Sequence, residues 1–86
     1  MTNEAIFLIV KKHIDEMDYH ELLAGGAPKD EFDGESEAIS ARIRAEHSVR
    51  EISEIIAEIF NSQFDEHNEA TVFLSVAEKI KKDLPL

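Results

Sequence analysis

Residues 48–64, SVREISEIIAEIFNSQF, constrain this chain more than any other stretch. Ser48 followed by Glu51 has the S-x-x-E form of a capping box, in which the two side chains satisfy backbone N–H groups at a helix start. Behind it Val49, Ile52, Ile55, Ile56, Ile59, Phe60 and Phe64 recur at helical spacing. Glu51, Glu54 and Glu58 lie on the opposite side. A helix this one-sided must bury its stripe against other elements.

The rest of the chain offers more helices and no strand, since no segment alternates with period two. A first helix is expected over Asn3–Met17, with Ile6, Val10, His13, Ile14 and Met17 on one face and Phe7 and Ile9 flanking it. Leu8 points the other way, so the first half is apolar nearly all round, which fits a central helix or an exposed patch. Asp18 and Glu21 have the D-x-x-E form of a capping box. They predict a short turn over 19–24, stopped by Gly25-Gly26 and anchored by Leu22 and Leu23. A second helix is expected from 34 or 35 to 46, capped by Asp33, with Ala38, Ile39, Arg42 and Ile43 inside. A fourth is expected over 69–83, capped by Asn68, with Phe73, Val76, Ala77, Ile80 and Leu84 inside. Lys79, Lys81 and Lys82 suit its negative C-terminal end, and Pro85 stops it.

The expected fold is therefore all-α: a small four-helix, bundle-like domain, with three long helices plus a short turn and a long acidic connector. Residues 1–86 form a single helical domain, and its 43% hydrophobic content suffices for one core. There is no cysteine, hence no disulfide framework and no thiolate metal site. The apolar run at 5–10 is short, follows an acid and precedes no cleavage-like motif, so neither a secretory signal nor a membrane span is expected. The cytoplasm is the expected compartment. A net charge of −10 argues against nucleic acid and favours a partner with a basic surface.

The connector between the first two helices is the anomaly, because bundle loops usually run about 2–8 residues. It contains GGAPKDEFDGESE, with all three glycines and the acids Asp30, Glu31, Asp33, Glu35 and Glu37. Read as a calcium loop with Gly34 at the sixth position, it puts Glu31 and Asp33 at the third and fifth. It also puts Lys29 at the first and Ser40 at the twelfth, where ligands are required. His13, Glu16 and His20 would share a face only on an unbroken helix, and the break near Asp18 separates them. His47 and His67 each precede a helix cap and belong to no spaced metal motif. No G-x-S-x-G elbow occurs, and GGAP lacks the Lys-Ser/Thr ending of a phosphate loop. No metal, no cofactor and no enzyme activity is expected. An acyl-carrier reading fails because DGESEA stands where Asp-Ser-Leu is required. A colicin-immunity reading lacks the Tyr-Tyr-Pro motif and is architectural only.

Residues 18–39, DYHELLAGGAPKDEFDGESEAI, resemble the YugE-like family of small helical bacterial proteins, a domain of unknown function. The matching positions are Asp18, Leu22, Leu23, Gly26, Ala27, Pro28, Asp30, Glu31, Asp33, Glu37 and Ile39. The chain departs at Tyr19, where the pattern has Pro, and at Phe32, where it has Tyr. A role needing the hydroxyl at Phe32 is therefore not carried over. SVREISEIIAEIFNSQF is similar to that family's third helix. The resemblance implies an all-helical bundle without a known activity, and related signatures point to immunity or antitoxin-like proteins.

The expected function is protein binding through the connector. Asp30, Glu31, Asp33, Glu35 and Glu37 would meet basic groups, with Tyr19 and Phe32 as aromatic anchors. The alternatives are a regulatory protein for a metal or small ligand, and a homo-oligomer built on the apolar segment 6–10. The connector's structural role would be to tuck onto the core through Leu22, Leu23, Pro28 and Phe32.

Overall fold

A computed structural model describes residues 3–85. It contains four helices, α1 (Asn3–Met17), α2 (Asp33–Arg42), α3 (Val49–Phe64) and α4 (Leu74–Asp83). Two 3-10 turns, Tyr19–Glu21 and Ala70–Phe73, precede α2 and α4. The described residues form no strand. Helix α1 packs against α2 and α4, and α3 packs against the same two. The four helices thus close a ring around one core, and no helix among the described residues is long and apolar enough to cross a membrane.

Helix α3 starts as its sequence dictates. The Ser48 hydroxyl accepts from the Glu51 N–H at 3.1 Å, and Glu51 accepts from the Ser48 N–H at 2.8 Å. The backbone bond from Ser48, followed by its hydroxyl, holds the Glu51 carboxyl below the usual range. Ile52, Ile56, Ile59 and Phe60 are buried, while Val49, Ile55 and Phe64 are half-buried around them. Ser53 and Ala57 are buried on the same helix. The Ser53 hydroxyl is satisfied by donating to the Arg50 carbonyl at 2.8 Å, which lets a polar residue face the core.

Three expected caps do other work. Asp18 has φ 48° and makes no cap bond to the 3-10 turn that follows. Its carboxylate instead accepts from the N–H groups of Leu23 and Ala24, at 2.7 and 3.0 Å. Asp33 is the first residue of α2 and not its cap, because its carboxylate is held by Lys11. Asn68 does not cap α4, which is entered through the 3-10 turn Ala70–Phe73. The Asn68 side chain is tied to Asn61 and Tyr19.

Helix α2 ends at Arg42, four residues before the expected 46. Ile43 leaves the helix with φ −78° and ψ 153° yet stays buried. The His47 ring accepts from the Arg44 N–H at 2.9 Å, and Lys81 donates to the carbonyls of Ala45 and His47. Those bonds give residues 44–47 partners outside a helix. Inside α2 the buried face is Ser36, Ile39 and Ser40, whereas Ala38 and Arg42 are exposed. Arg42 reaches Glu58 on α3 at 3.2 Å.

The second half of α1 is pinned to two different partners. His13 is buried on α1, and its Nε2 meets the Asp83 carboxylate at the end of α4 at 2.7 Å. That contact holds the Asp83 carboxyl below its usual range. Lys11, two residues earlier and so on another side of the helix, reaches Asp33 at the start of α2 at 2.6 Å. Contacts of early α1 residues with late α2 residues, Glu4 and Phe7 beside Glu37 and Ala41, show that α1 and α2 run antiparallel.

Candidate functional site

The connector is built in two parts. The first is a single turn closed as a Schellman motif: the Ala27 N–H bonds the Leu22 carbonyl at 2.9 Å, and the Gly26 N–H bonds that of Leu23 at 3.1 Å. Gly26 has φ 101°, the left-handed conformation this closure requires of its residue. The Gly25-Gly26 stop therefore forms where the sequence puts it. Asp18, His20 and Glu21 also adopt positive φ, which costs a non-glycine residue about 1–2 kcal/mol. Leu22 and Leu23 pack against the core, as expected of anchors.

The second part runs from Pro28 into α2. Pro28 is exposed, whereas Phe32 is wholly buried, its ring 6.0 Å from that of Phe60. Phe32 is therefore not a surface anchor for a partner. It shares a face with Ser36, Ile39 and Ile43 at i, i+4, i+7 and i+11, all of them buried. Helical periodicity thus carries one ring back into the connector.

Tyr19, the other expected anchor, is also in the core. Its ring lies 4.7 Å from Phe60, 5.0 Å from Phe64 and 6.0 Å from Phe73. Its hydroxyl donates to Glu66 and accepts from Asn68 at 2.6 Å. Burial, then the bond to Glu66, pushes the Tyr19 phenol up. The same bond, followed by one from His20 at 2.8 Å, holds the Glu66 carboxyl below its usual range. Tyr19 thus ties the first connector to the one between α3 and α4. Sequence reading misses this network, because its members are up to 49 positions apart.

The five acids divide. Asp33 is engaged by Lys11, whose ammonium also donates to Asp15 at 2.9 Å and to the Lys29 carbonyl at 3.2 Å. Those three acceptors use all three donors of the lysine, and the bonds to Asp33 and then Asp15 push its pKa up. The contact fastens the connector to α1, so Asp33 is a structural residue. Asp30, Glu31 and Glu37 are exposed and Glu35 is half-buried. None of these four is in an ion pair among the described residues. They leave an acidic surface along the second half of the connector and the first turns of α2, beside Lys29, which is likewise in no ion pair among the described residues. Glu35 and Glu37, two apart on α2, lie on different sides of that helix.

No group of three or more His, Cys, Asp or Glu side chains among the described residues is arranged to hold a metal ion. His13 is engaged with Asp83 and His20 with Glu66, on different sides of Met17. In comparisons with known proteins, no family model, no curated protein and no solved structure matches this chain.

Proposed function

We propose that this chain is a protein-binding module of the bacterial cytoplasm that covers a basic surface on a partner, in the manner of an immunity or antitoxin protein. One observation carries the reading: Asp30, Glu31, Glu35 and Glu37 are in no ion pair among the described residues, while Asp33 in their midst is held by Lys11. Charges left unpaired on a rigidly fastened segment add to the field a partner meets, and steering by such a field acts on association rate more than on affinity. The net charge of −10 works in the same direction. The pattern at residues 18–39 that resembles the YugE-like family supports the reading in its matches at Asp30, Glu31 and Glu37. The action is steric and electrostatic, with no reaction assigned to any residue.

The test is association kinetics with the partner isolated from the native cell. The combined change Asp30→Lys, Glu31→Lys and Glu35→Lys slows association about tenfold or more at low salt, and the difference fades as salt screens it. An unchanged on-rate at low salt sinks the proposal.

A further inference from the structure

With Tyr19 and Phe32 in the core, the acidic face lacks the apolar anchor point that protein interfaces concentrate near their centre. The molecule offers one beside it. A groove of about 410 Å³ runs between α1 and α2, lined by Glu4, Phe7, Glu37, Ser40 and Ala41. Phe7 is half-buried there and Ala41 is exposed. Ser40 is buried, and its hydroxyl donates to the Glu37 carbonyl at 2.9 Å. That bond satisfies its polar hydrogen within α2 and leaves the wall largely apolar. Leu8, the residue after Phe7, is 57% exposed. Glu4 and Glu37 stand exposed at the rim, in no ion pair among the described residues. Glu37 is also one of the unpaired acids of the connector and α2, so the groove and that acidic stretch meet at this residue.

We infer that this groove receives an amphipathic helix of a basic partner protein. One of its apolar side chains inserts between Phe7 and Ala41, and flanking Lys or Arg residues meet Glu4 and Glu37. The inference rests on the docking role proposed above and gives that role its apolar contact. An open groove along two antiparallel helices is the shape that receives a helix. Charge decides the occupant. A second copy brings −10 of its own and sets like charges against the rim, and a nucleic acid or an anionic lipid surface meets the same repulsion.

The test uses the full chain and a fluorescent leucine–lysine peptide of amphipathic helical pattern, beside a shuffled peptide of identical composition. Anisotropy titration at low salt gives affinity, and stopped flow gives the rates. The patterned peptide binds more tightly than the shuffled one. Ala41→Gln, at an exposed position that leaves folding intact, weakens it about tenfold, the size of one interface anchor, chiefly by faster dissociation. Glu4→Lys, at an exposed rim position, serves as a second variant, and amide shifts on peptide addition centre on residues 4–7 and 37–41. Equal binding of the two peptides overturns the inference, as does indifference to both substitutions. Concentration-dependent dimerisation abolished by Ala41→Gln also overturns it, in favour of a second copy as occupant. The two readings fail separately. If Asp30→Lys, Glu31→Lys and Glu35→Lys together slow association while Ala41→Gln changes nothing, the groove is wrong and the acidic face stands. The reverse pattern retains the groove and removes the steering role.

Discussion

The chain has two long connectors, and both carry acids. In each, some acids are bonded inward and others are left to solvent. Between α3 and α4, Glu66 is bonded to Tyr19 and His20. Asn68 is bonded to Asn61 and Tyr19, and Asn61 returns a bond to the Asn68 carbonyl at 2.9 Å. Between α1 and α2, Asp18 and Asp33 are bonded inward, whereas Asp30 and Glu31 face solvent with no ion-pair partner among the described residues. Asp65 and Glu69 of the α3–α4 connector are likewise exposed and in no ion pair among the described residues. The outcome differs from acid to acid, because each inward acid has a donor within reach: a phenol, a lysine or a pair of backbone N–H groups. Where an acid of a well-fastened segment lacks such a donor, its charge is left to the surroundings.

The largest effect should come from the ring that holds down the second half of the acidic connector. Phe32→Ala removes a wholly buried aromatic and should destabilise by about 3–5 kcal/mol, read by urea unfolding. A loss below about 1 kcal/mol would mean that Tyr19, Leu22, Leu23 and the Lys11–Asp33 contact fasten the connector without it. Next is the tie between the two connectors. Tyr19→Phe keeps the ring stack and removes the hydroxyl that serves Glu66 and Asn68. A cost of about 1.5–3 kcal/mol follows for a hydrogen bond to a charged group.

That network also sets a pH dependence. Glu66 and Asp83 are held below their ordinary range, by Tyr19 and by His13 respectively. A carboxyl with a lowered folded pKa contributes stability above its unfolded pKa and loses it as pH falls through the folded one. Stability should therefore decline in acid, below the usual carboxylate range. Tyr19 and Lys11 are shifted up, so their contribution is complete below their unfolded values and lost as pH rises through the folded ones. Glu66→Gln should flatten the acid limb and leave the Lys11 part of the alkaline limb in place. Thermal melts across pH check this, and an acid limb unchanged by Glu66→Gln would remove the network from the account.

The comparison also explains what the sequence discloses and what it conceals. Helices α1 and α3 are legible because a stripe or a capping box is a local pattern, readable within two turns. The inward residues of α4 are legible for the same reason, as all five expected there are buried. The caps at Asp18, Asp33 and Asn68 are misread, because a capping residue is defined by which N–H it bonds. A lysine, a downstream turn or a distant tyrosine competes for the same oxygen. The end of α2 is misread because Ile43 keeps the helical phase of the buried face after the backbone has left the helix. Tyr19 reads as exposed because its neighbours are polar, whereas Phe32 reads both ways, as an anchor for a partner and as a ring tucked onto the core, and the second holds. The i+4 and i+7 spacing from Phe32 to Ser36 and Ile39 is the available signal, hidden by a serine that does not look like core. The exposed part of the candidate site, Asp30, Glu31 and Glu37, is legible because solvent is the default for charge.

A smaller effect separates strain from bonding in the fastened turn. Glu21 is exposed and sits at φ 56°, and its backbone is what is engaged: its N–H donates to the Asp18 carbonyl at 2.7 Å and its carbonyl accepts from the Gly25 N–H at 3.0 Å. Glycine relieves about 1–2 kcal/mol of left-handed strain and gives back about 0.5–1 kcal/mol through the freer unfolded chain. Glu21→Gly should therefore stabilise by roughly 0.5–1 kcal/mol, the difference of those two terms. A destabilisation of that size would show that the positive φ is not strained in this turn.

The smallest effect is the one that most sharpens the contrast. Asp30→Lys with Glu31→Lys alters two exposed charges that hold nothing, so stability should stay within about 0.5 kcal/mol. Asp33→Lys, two positions on, sets a second cation against Lys11 where the native acid lies 2.6 Å away, and should destabilise measurably. If the outer pair mattered as much as Asp33, all five acids would belong to the fold, and no charge would be left over for a partner. If the pair is neutral for folding, the connector keeps two acids that folding does not require, and association is where their effect is to be measured.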